Sequence, residues 1–387
     1  MRGKTISQLE NLLWKGKRKM EWTSIYKIKD SIDIYLVDNQ YICAYFMNTR
    51  IHKKFRVNQT VIRLFEMMDG TLTAEELYIG INEKEKVSRQ ALSDWVDKML
   101  SAKIITEKLQ AHVLPESDRE RYERQISYFA EFLDSEKEAE KAQERLQKVR
   151  VGIIGCGAVG GDIAIQLASA GVRNFVLMDY DTVNESDCSR HLYYNIKDIG
   201  RKKVEVLSDY LKCIDEKICT FISYQAFTPQ TDMTDFLNHT DFVIDTADEP
   251  YLGYTATMLS TICVPQRIPH YIAGGFDAHL ASTGELIIPY VTPCAACYAD
   301  YFAEVLKDWK PEKHPVAQRE NEIGGLASAS LFSASYACVE IIKYLAGLMN
   351  MEKNYHSRAE FYIDGMKLQY LNPKKNPKCK VCGKHEV

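Results

Sequence analysis

Residues 151–181 read VGIIGCGAVGGDIAIQLASAGVRNFVLMDYD. An apolar run, a glycine turn, a helical stretch and a second apolar run follow one another without a break. That order dictates a strand–turn–helix–strand unit, and such a unit belongs to a parallel sheet. In GCGAVG, Gly155 permits the tight turn, Gly157 lets a phosphate approach the backbone, and Gly160 lets the helix pack on the strand. The first N–H groups of the helix then face an anion. Asp179 ends the second strand, where a carboxylate takes ribose hydroxyls, and Asp181 follows it. GxGxxG by itself is a weak signal that suggests NAD chemistry. With these flanks it reads as a nucleotide site.

The pattern continues downstream. TDFVIDTAD, PHYIAGG and GELIIPYV read as further strands, so the fold class is α/β, a Rossmann-like doubly wound, largely parallel sheet. The chain before it is different. Residues 1–20 are basic and amphipathic and read as a loose helix. SIDIYLVDNQYICAYFMN alternates apolar and polar residues around an Asp-Asn turn, which predicts a hairpin. Helical spacing in TVIRLFEMMDG stops at Gly70, Thr73 starts a second helix, and Ser88 caps a third. Strands followed by three short helices form a small α+β winged-helix-type module over residues 1–108. Pro115 and the loss of periodicity place a linker at 109–119, and a second domain fills 120–387. At 387 residues the chain has room for both.

The chemistry after the glycine turn is not that of a dehydrogenase. No obvious hydride-transfer partner follows Asp181. Arg190 and Lys203 lie close in sequence instead, and cations beside a phosphate chain suit nucleotidyl transfer, where charge builds on the α-phosphate and on pyrophosphate. A solvated basic loop is the bland alternative. Asp245 and Asp248 end the TDFVID strand, where ligands gather in open α/β sheets. A carboxylate there suits Mg²⁺ on a triphosphate, with a helix cap as the alternative. The cysteines at 294, 297, 379 and 382 form two CxxC pairs, the inventory of a tetrahedral zinc site, although the gap between the pairs leaves a redox pair open. A net charge of −4 argues against nucleic acid as the main partner. No apolar run is long enough to span a bilayer and no signal peptide is evident, so a cytoplasmic protein without membrane contact is expected.

Five motifs in order, GCGAVG, DYD, SDCSR, GRKKVE and TADE, resemble the adenylating domain of the ubiquitin-activating-enzyme superfamily, which includes the ThiF- and MoeB-type activators of sulfur-carrier proteins. The resemblance covers about residues 118–387. It implies that Gly155, Gly157 and Gly160 carry the ATP phosphates, that Asp179 takes the ribose, and that Arg190 and Lys203 neutralise the phosphates. Asp181 and Asp187 fall in the same nucleotide-binding motifs, and Asp248 is implied as the magnesium ligand. RYERQ resembles the segment before the family domain, so Arg124 is implied as an arginine finger reaching the other subunit of a homodimer. The superfamily also places a structural zinc on two CxxC pairs, here Cys294, Cys297, Cys379 and Cys382. The chain departs from the family pattern twice. Asp187 stands where Asn is usual and His191 where Gln is usual, and an extra carboxylate would repel a triphosphate unless a cation offsets it. Residues 298–337 contain no cysteine for a thioester. Cys338 sits in an apolar helix, and Cys156 and Cys188 are weak nucleophile candidates.

LFEMMDGTLTAEEL with ALSDWVDKMLSAKIITE resembles the leader-recognition domains of ribosomally made peptide pathways. These take a leader as an added strand, and the implied clamp here is the strand region Tyr41–Val57 with the helix 88–101. A degraded DNA-binding winged helix is less apt because no basic recognition helix is present. The combination resembles the peptide-adenylating enzymes of antibiotic biosynthesis. It implies ATP-dependent activation of a carboxylate on a precursor peptide, leading to cyclisation, dehydration or nucleotidylation. Activation of a Gly-Gly sulfur carrier and a non-catalytic leader-binding scaffold are the alternatives.

Overall fold

The computed structural model describes residues 19–133, 135–277, 280–308, 325–350 and 355–383. The helix expected over residues 1–20 falls almost wholly outside them. The chain forms two compact units, residues 1–142 and 143–387. Among the described residues no helix is long and apolar enough to cross a membrane.

The first unit holds two antiparallel sheets. β2 (Ile32–Val37), β3 (Tyr41–Phe46) and β4 (Ile51–Arg56) form one in that order, after β1 (Ile25–Ile28). The predicted hairpin is present, and Asp38 and Asn39 both take left-handed φ values, 53° and 50°. α1 (Gln59–Met67) is followed by β5 (Asp69–Thr73), which pairs with β1. Gly70 does not simply stop the helix: at φ 83° it lies within that strand, beside Lys27. α2 (Ala74–Asn82) starts at Thr73 with a capping box to Glu76, and α3 (Arg89–Ser101) starts at Ser88. β6 (Ile105–Glu107) completes the sheet β5-β1-β6. The core gathers Ile42, Leu77, Ile81, Leu92, Val96 and Ile104. α4 (Glu116–Ala130) follows, and α5 (Glu136–Lys148) carries the chain into the second unit.

The second unit begins with β7 (Arg150–Ile154), α6 (Ala158–Ser169) and β8 (Asn174–Met178), as the opening stretch dictates. Then come α7 (Lys203–Ile214), β9 (Cys219–Ser223), α8 (Thr234–Asn238), β10 (Phe242–Asp245), α9 (Leu252–Cys263) and β11 (His270–Ile272). β12 (Phe276–Asp277), β13 (Leu280–Ser282), β14 (Glu285–Ile287), α10 (Ala295–Val305), α11 (Ala327–Leu345), β15 (Ala359–Tyr362) and β16 (Lys367–Tyr370) complete it. The central sheet runs β14-β11-β10-β7-β8-β9, parallel throughout except for β14. From β7 the chain winds outward on one side through β8 and β9, then returns and winds outward on the other. Strand order therefore reverses between β7 and β10, which is the crevice where such sheets bind ligands. β12-β13-β15-β16 form a separate antiparallel sheet.

Candidate active site

A cavity of about 1320 Å³ opens at the carboxyl ends of β7, β8, β10 and β11. The glycine turn forms part of its wall. Gly155 has φ +88°, and a Cβ there would meet Thr246 Oγ1 at 2.6 Å. A Cβ on Gly160 would lie 2.0 Å from the Gly155 carbonyl oxygen. Gly157 is different, because nothing lies closer than 3.9 Å to its Cβ position. Gly155 and Gly160 thus serve close packing, and Gly157 leaves open space in front of the backbone. Gly157 also caps α6 without a side-chain acceptor, so the first N–H groups of the helix remain available to an anion. Two tyrosines lock the turn from behind. The hydroxyls of Tyr193 and Tyr194 each donate to the Cys156 carbonyl at 2.8 Å. Gly161 leaves room for the Tyr193 ring, whose hydroxyl would otherwise be 1.8 Å from a Cβ.

Charged groups line the same cavity. Asp179 accepts from the Cys156 N–H at 2.7 Å and from the Asp181 N–H at 2.8 Å, and burial raises its carboxyl above the usual range. The ammonium of Lys203 lies 3.2 Å from Asp181 and 3.7 Å from Asp187. Burial pulls this lysine down, but Asp187, Asp179 and Asp181 outweigh it and hold its pKa above the ordinary value. Asp187, the first departure from the family pattern, is buried. It accepts from the Asn184 N–H at 3.0 Å and from Arg190 at 3.3 Å. Two cations and a backbone donor therefore offset the extra carboxylate. The second departure, His191, places Nδ1 2.8 Å from the Asp187 carbonyl oxygen, so Nδ1 carries the proton. Its Nε2 is buried without a partner, 3.9 Å from the Cβ position of Gly157, and burial lowers its pKa.

On the other side of the switch point, Asp245 is fully buried at the end of β10 and pushed up to about 7 by burial. It does not line the cavity; Asp248 does, with its carboxyl raised by desolvation from the cavity walls. Across the whole lining, Asp179, Asp181, Asp187, Asp248, Glu249, Glu285 and Glu360 face Arg190, Lys203 and Arg358. Carboxyl groups outnumber cations, which disfavours a bare triphosphate, although burial raises Asp179 and Asp248 and pushes Glu285 up to about 7 and so removes part of that charge. Of the expected nucleotide and catalytic residues, the cavity lining brings together Gly155, Gly157, Asp179, Asp181, Asp187, Arg190, Lys203 and Asp248. Gly160 packs behind it. Arg124 lies exposed on α4 in the first unit.

The four thiols at 294, 297, 379 and 382 converge, with all four sulfurs within 4.8 Å of one another. Separations of 3.6 Å for Cys294–Cys379 and 3.5 Å for Cys297–Cys382 are close to the roughly 3.8 Å edge of a ZnS₄ tetrahedron with Zn–S near 2.3 Å. The N–H groups of Asn376 and Val381 point at Cys297 Sγ and Cys379 Sγ, each at 3.4 Å, as donors to thiolate. All four cysteines are buried, which disfavours a redox role. The donor set fits zinc. Elsewhere, Cys156 and Cys338 are buried with thiols pushed up by desolvation, which disfavours either as a nucleophile.

The model of the ThiF family matches residues 122–381. This chain belongs to the ThiF family. Several of its relatives are named as adenylyltransferases. It is 29% identical to the molybdopterin-synthase adenylyltransferase of Escherichia coli K12 over 69% of this chain and 98% of that protein. Vegetative HesA of Trichormus variabilis is 26% identical over 70% of this chain and 92% of that one. Among solved structures, Escherichia coli MccB in complex with an MccA variant superposes with TM-score 0.66 at 18% identity, covering 92% of this chain and 99% of that chain. PaaA superposes with TM-score 0.64 at 21% identity, covering 90% and 100%. These two likenesses are of fold.

Several residues of this ThiF-family site escaped the sequence reading. Tyr193 and Tyr194 follow the SDCSR motif after His191 and Leu192 but belong to no motif of their own. Glu285 and Arg358 come from β14 and from the residue before β15, and nothing in the sequence ties them together.

Proposed function

We propose that this protein adenylates a carboxylate on a ribosomally made precursor peptide, as a step in peptide natural-product biosynthesis. The observation that carries the reading is the joining of the adenylating unit to a first unit with open strand edges, in a fold shared across the chain with MccB. MccB has itself been solved bound to MccA. β4 pairs with β3 on one side only among the described strands and carries Lys53, Lys54 and Arg56. A leader can add there as a strand, with backbone bonds supplying affinity and side-chain pockets specificity. Residues 1–108 serve as the clamp, 109–119 as the linker and 120–387 as the adenylating domain.

In this reading the ATP phosphates lie against Gly155, Gly157 and the start of α6, and Asp179 turns to the ribose. Asp181 and Asp187 hold Lys203 and Arg190 in place. The acceptor carboxylate attacks the α-phosphorus, the bond to the β-phosphate oxygen breaks, and pyrophosphate leaves. Arg190 and Lys203 stabilise the charge that develops. Arg124 from a second copy supplies a further cation, which makes the working unit a homodimer. Asp248 is the group to hold magnesium, which would offset the surplus carboxylates of the cavity and the triphosphate. The acyl adenylate then meets a nucleophile of the same peptide, and proximity suffices for that step. Zinc on the four cysteines is structural. The working compartment is the cytoplasm.

The 29% identity to a molybdopterin-synthase adenylyltransferase supports a second reading, activation of the C-terminus of a sulfur carrier. One experiment separates them. The protein is incubated with Mg·ATP and either the peptide of a neighbouring short reading frame or a Gly-Gly carrier, and products are read by mass spectrometry. A nucleotidyl gain or loss of water on the peptide supports the first reading, and a carrier adenylate supports the second. No product and no ATP–pyrophosphate exchange with either refutes both.

A further inference from the structure

The cavity lining comes from both sides of the switch point between β7 and β10. In the proposed function the triphosphate takes the start of α6 and the ribose takes Asp179, which puts the nucleotide on the β7–β8–β9 side of the cavity. The remaining walls belong to the β10–β11–β14 side and to α10 and the start of β15. An acceptor has to come from there to reach the α-phosphorus.

On that side Glu285 begins β14, in register with Ile272 at the end of β11. It is 4% exposed, and its Oε2 is buried with no hydrogen-bond partner. The nearest cation is Arg358, whose guanidinium nitrogen stands 3.7 Å away, too far for a hydrogen bond. Arg358 rests on the ring of Phe302, 5.2 Å from its centroid, and its Nε–H is also buried without an acceptor. All three residues line the cavity. A buried acceptor and a buried donor thus lie side by side, each unmet. Burial pushes the Glu285 carboxyl up to about 7, against the pull of Arg358. With Glu285 ionised, a lone anion would satisfy Arg358 but crowd Glu285, and a lone cation would do the reverse. A neutral planar group with one N–H and one C=O satisfies both.

We propose that Glu285 and Arg358 form a subsite for a peptide amide of the acceptor, whose N–H donates to Glu285 and whose C=O accepts from Arg358 Nε. The subsite rests on the peptide reading of the function and adds to it the point at which the acceptor backbone is gripped. Gripping an amide there fixes the chain relative to the phosphate cradle, so the carboxylate is held near the α-phosphorus.

The test uses the full-length protein saturated with Mg·AMPCPP, a non-hydrolysable ATP analogue, with its binding verified by calorimetry. N-Methylpropanamide and its ester isostere methyl propanoate are titrated by saturation-transfer NMR. The amide is expected to bind about tenfold more tightly than the ester, since the ester lacks the N–H that a buried carboxylate accepts. Glu285→Gln keeps an acceptor oxygen and retains the preference, whereas Glu285→Leu loses it; AMPCPP binding reports that both variants are folded. Equal binding of amide and ester, or binding of neither, overturns the subsite and leaves water as the partner of both groups. Failure of AMPCPP itself to bind instead refutes the nucleotide site on which the proposed function stands.

Discussion

Gly157 and Gly160 share one motif but should fail in opposite ways when replaced by alanine. At Gly160 the new methyl would sit 2.0 Å from the Gly155 carbonyl oxygen and 2.7 Å from Thr246 Oγ1. Backbone must move, and overpacking of this kind costs about 1–3 kcal/mol. For a unit the size of residues 143–387, each kcal/mol lowers Tm by roughly 2–4 °C. Gly160→Ala is therefore expected to melt about 2–12 °C lower without any ligand. At Gly157 the backbone is extended, φ −77° and ψ −161°, and the nearest atom is 3.9 Å away. Alanine fits there, with a change within about 0.5 kcal/mol. The methyl would fill the space a phosphate needs, so ATP affinity should fall at least tenfold, or about 1.4 kcal/mol. Thermal unfolding with and without Mg·ATP checks both. At a hundredfold excess over Kd the wild type gains about 2.7 kcal/mol, and Gly157→Ala should lose at least half of that shift. A Gly157→Ala protein that melts early without nucleotide, or that keeps the full ATP shift, refutes the division of labour.

Burial holds the His191 imidazole below its ordinary range, and Nε2 faces the cradle as an acceptor. A triphosphate beside it favours the protonated form, so the pKa is higher in the complex than in the free protein. ATP affinity should then rise as pH falls through that window, by up to about tenfold per pH unit. His191→Gln should flatten the profile, and calorimetry in buffers of different ionisation enthalpy will show whether the proton uptake disappears with it. Cys379→Ser should lower bound zinc below one per chain and reduce Tm, measured by elemental analysis and calorimetry; an unchanged Tm would remove the structural role. Arg124→Ala and Lys203→Ala are each expected to lose ATP–pyrophosphate exchange. An equal mixture that exchanges subunits should recover about a quarter of wild-type activity, and no recovery would place Arg124 in its own subunit's site or outside any.

What the sequence made legible follows from burial. β7, β8 and β10 are almost continuous apolar runs because both of their faces are covered, and helices follow each in a fixed order. β9 escaped notice because, at the edge of the sheet, CTFIS is half exposed and carries no such run. β5 escaped because Asp69 and Gly70 read as the end of a helix, while the left-handed φ of Gly70 turns the chain back onto β1. The glycine turn and the CxxC pairs were legible because each residue type has one physical reason to be there. Tyr193 and Tyr194 were not, since a hydroxyl that donates to a carbonyl thirty-odd residues away obeys no local spacing. Glu285 and Arg358 meet only through the fold.

Asp187 shows how a departure from a motif can be absorbed. Read from sequence, a carboxylate in place of an amide looks like a repulsive charge at a phosphate site. In the structure it closes the short turn at Asn184, sits 3.3 Å from Arg190, and lies 3.7 Å from Lys203. The charge therefore holds Arg190 and Lys203, the cations proposed to meet phosphate, beside the cavity. The consequence lies in the balance of the cavity as a whole, where seven carboxyl groups share the lining with three cations, although burial raises Asp179 and Asp248 and pushes Glu285 up to about 7, so that part of this acid is neutral. Such a lining disfavours free ATP and favours ATP that arrives with a divalent cation. It also makes a further arginine from a second copy more valuable than it would be in a neutral site. The acidic lining and the proposed magnesium and arginine finger are thus one electrostatic argument: in the proposed function, a triphosphate enters this cavity more readily once positive charge is brought to it.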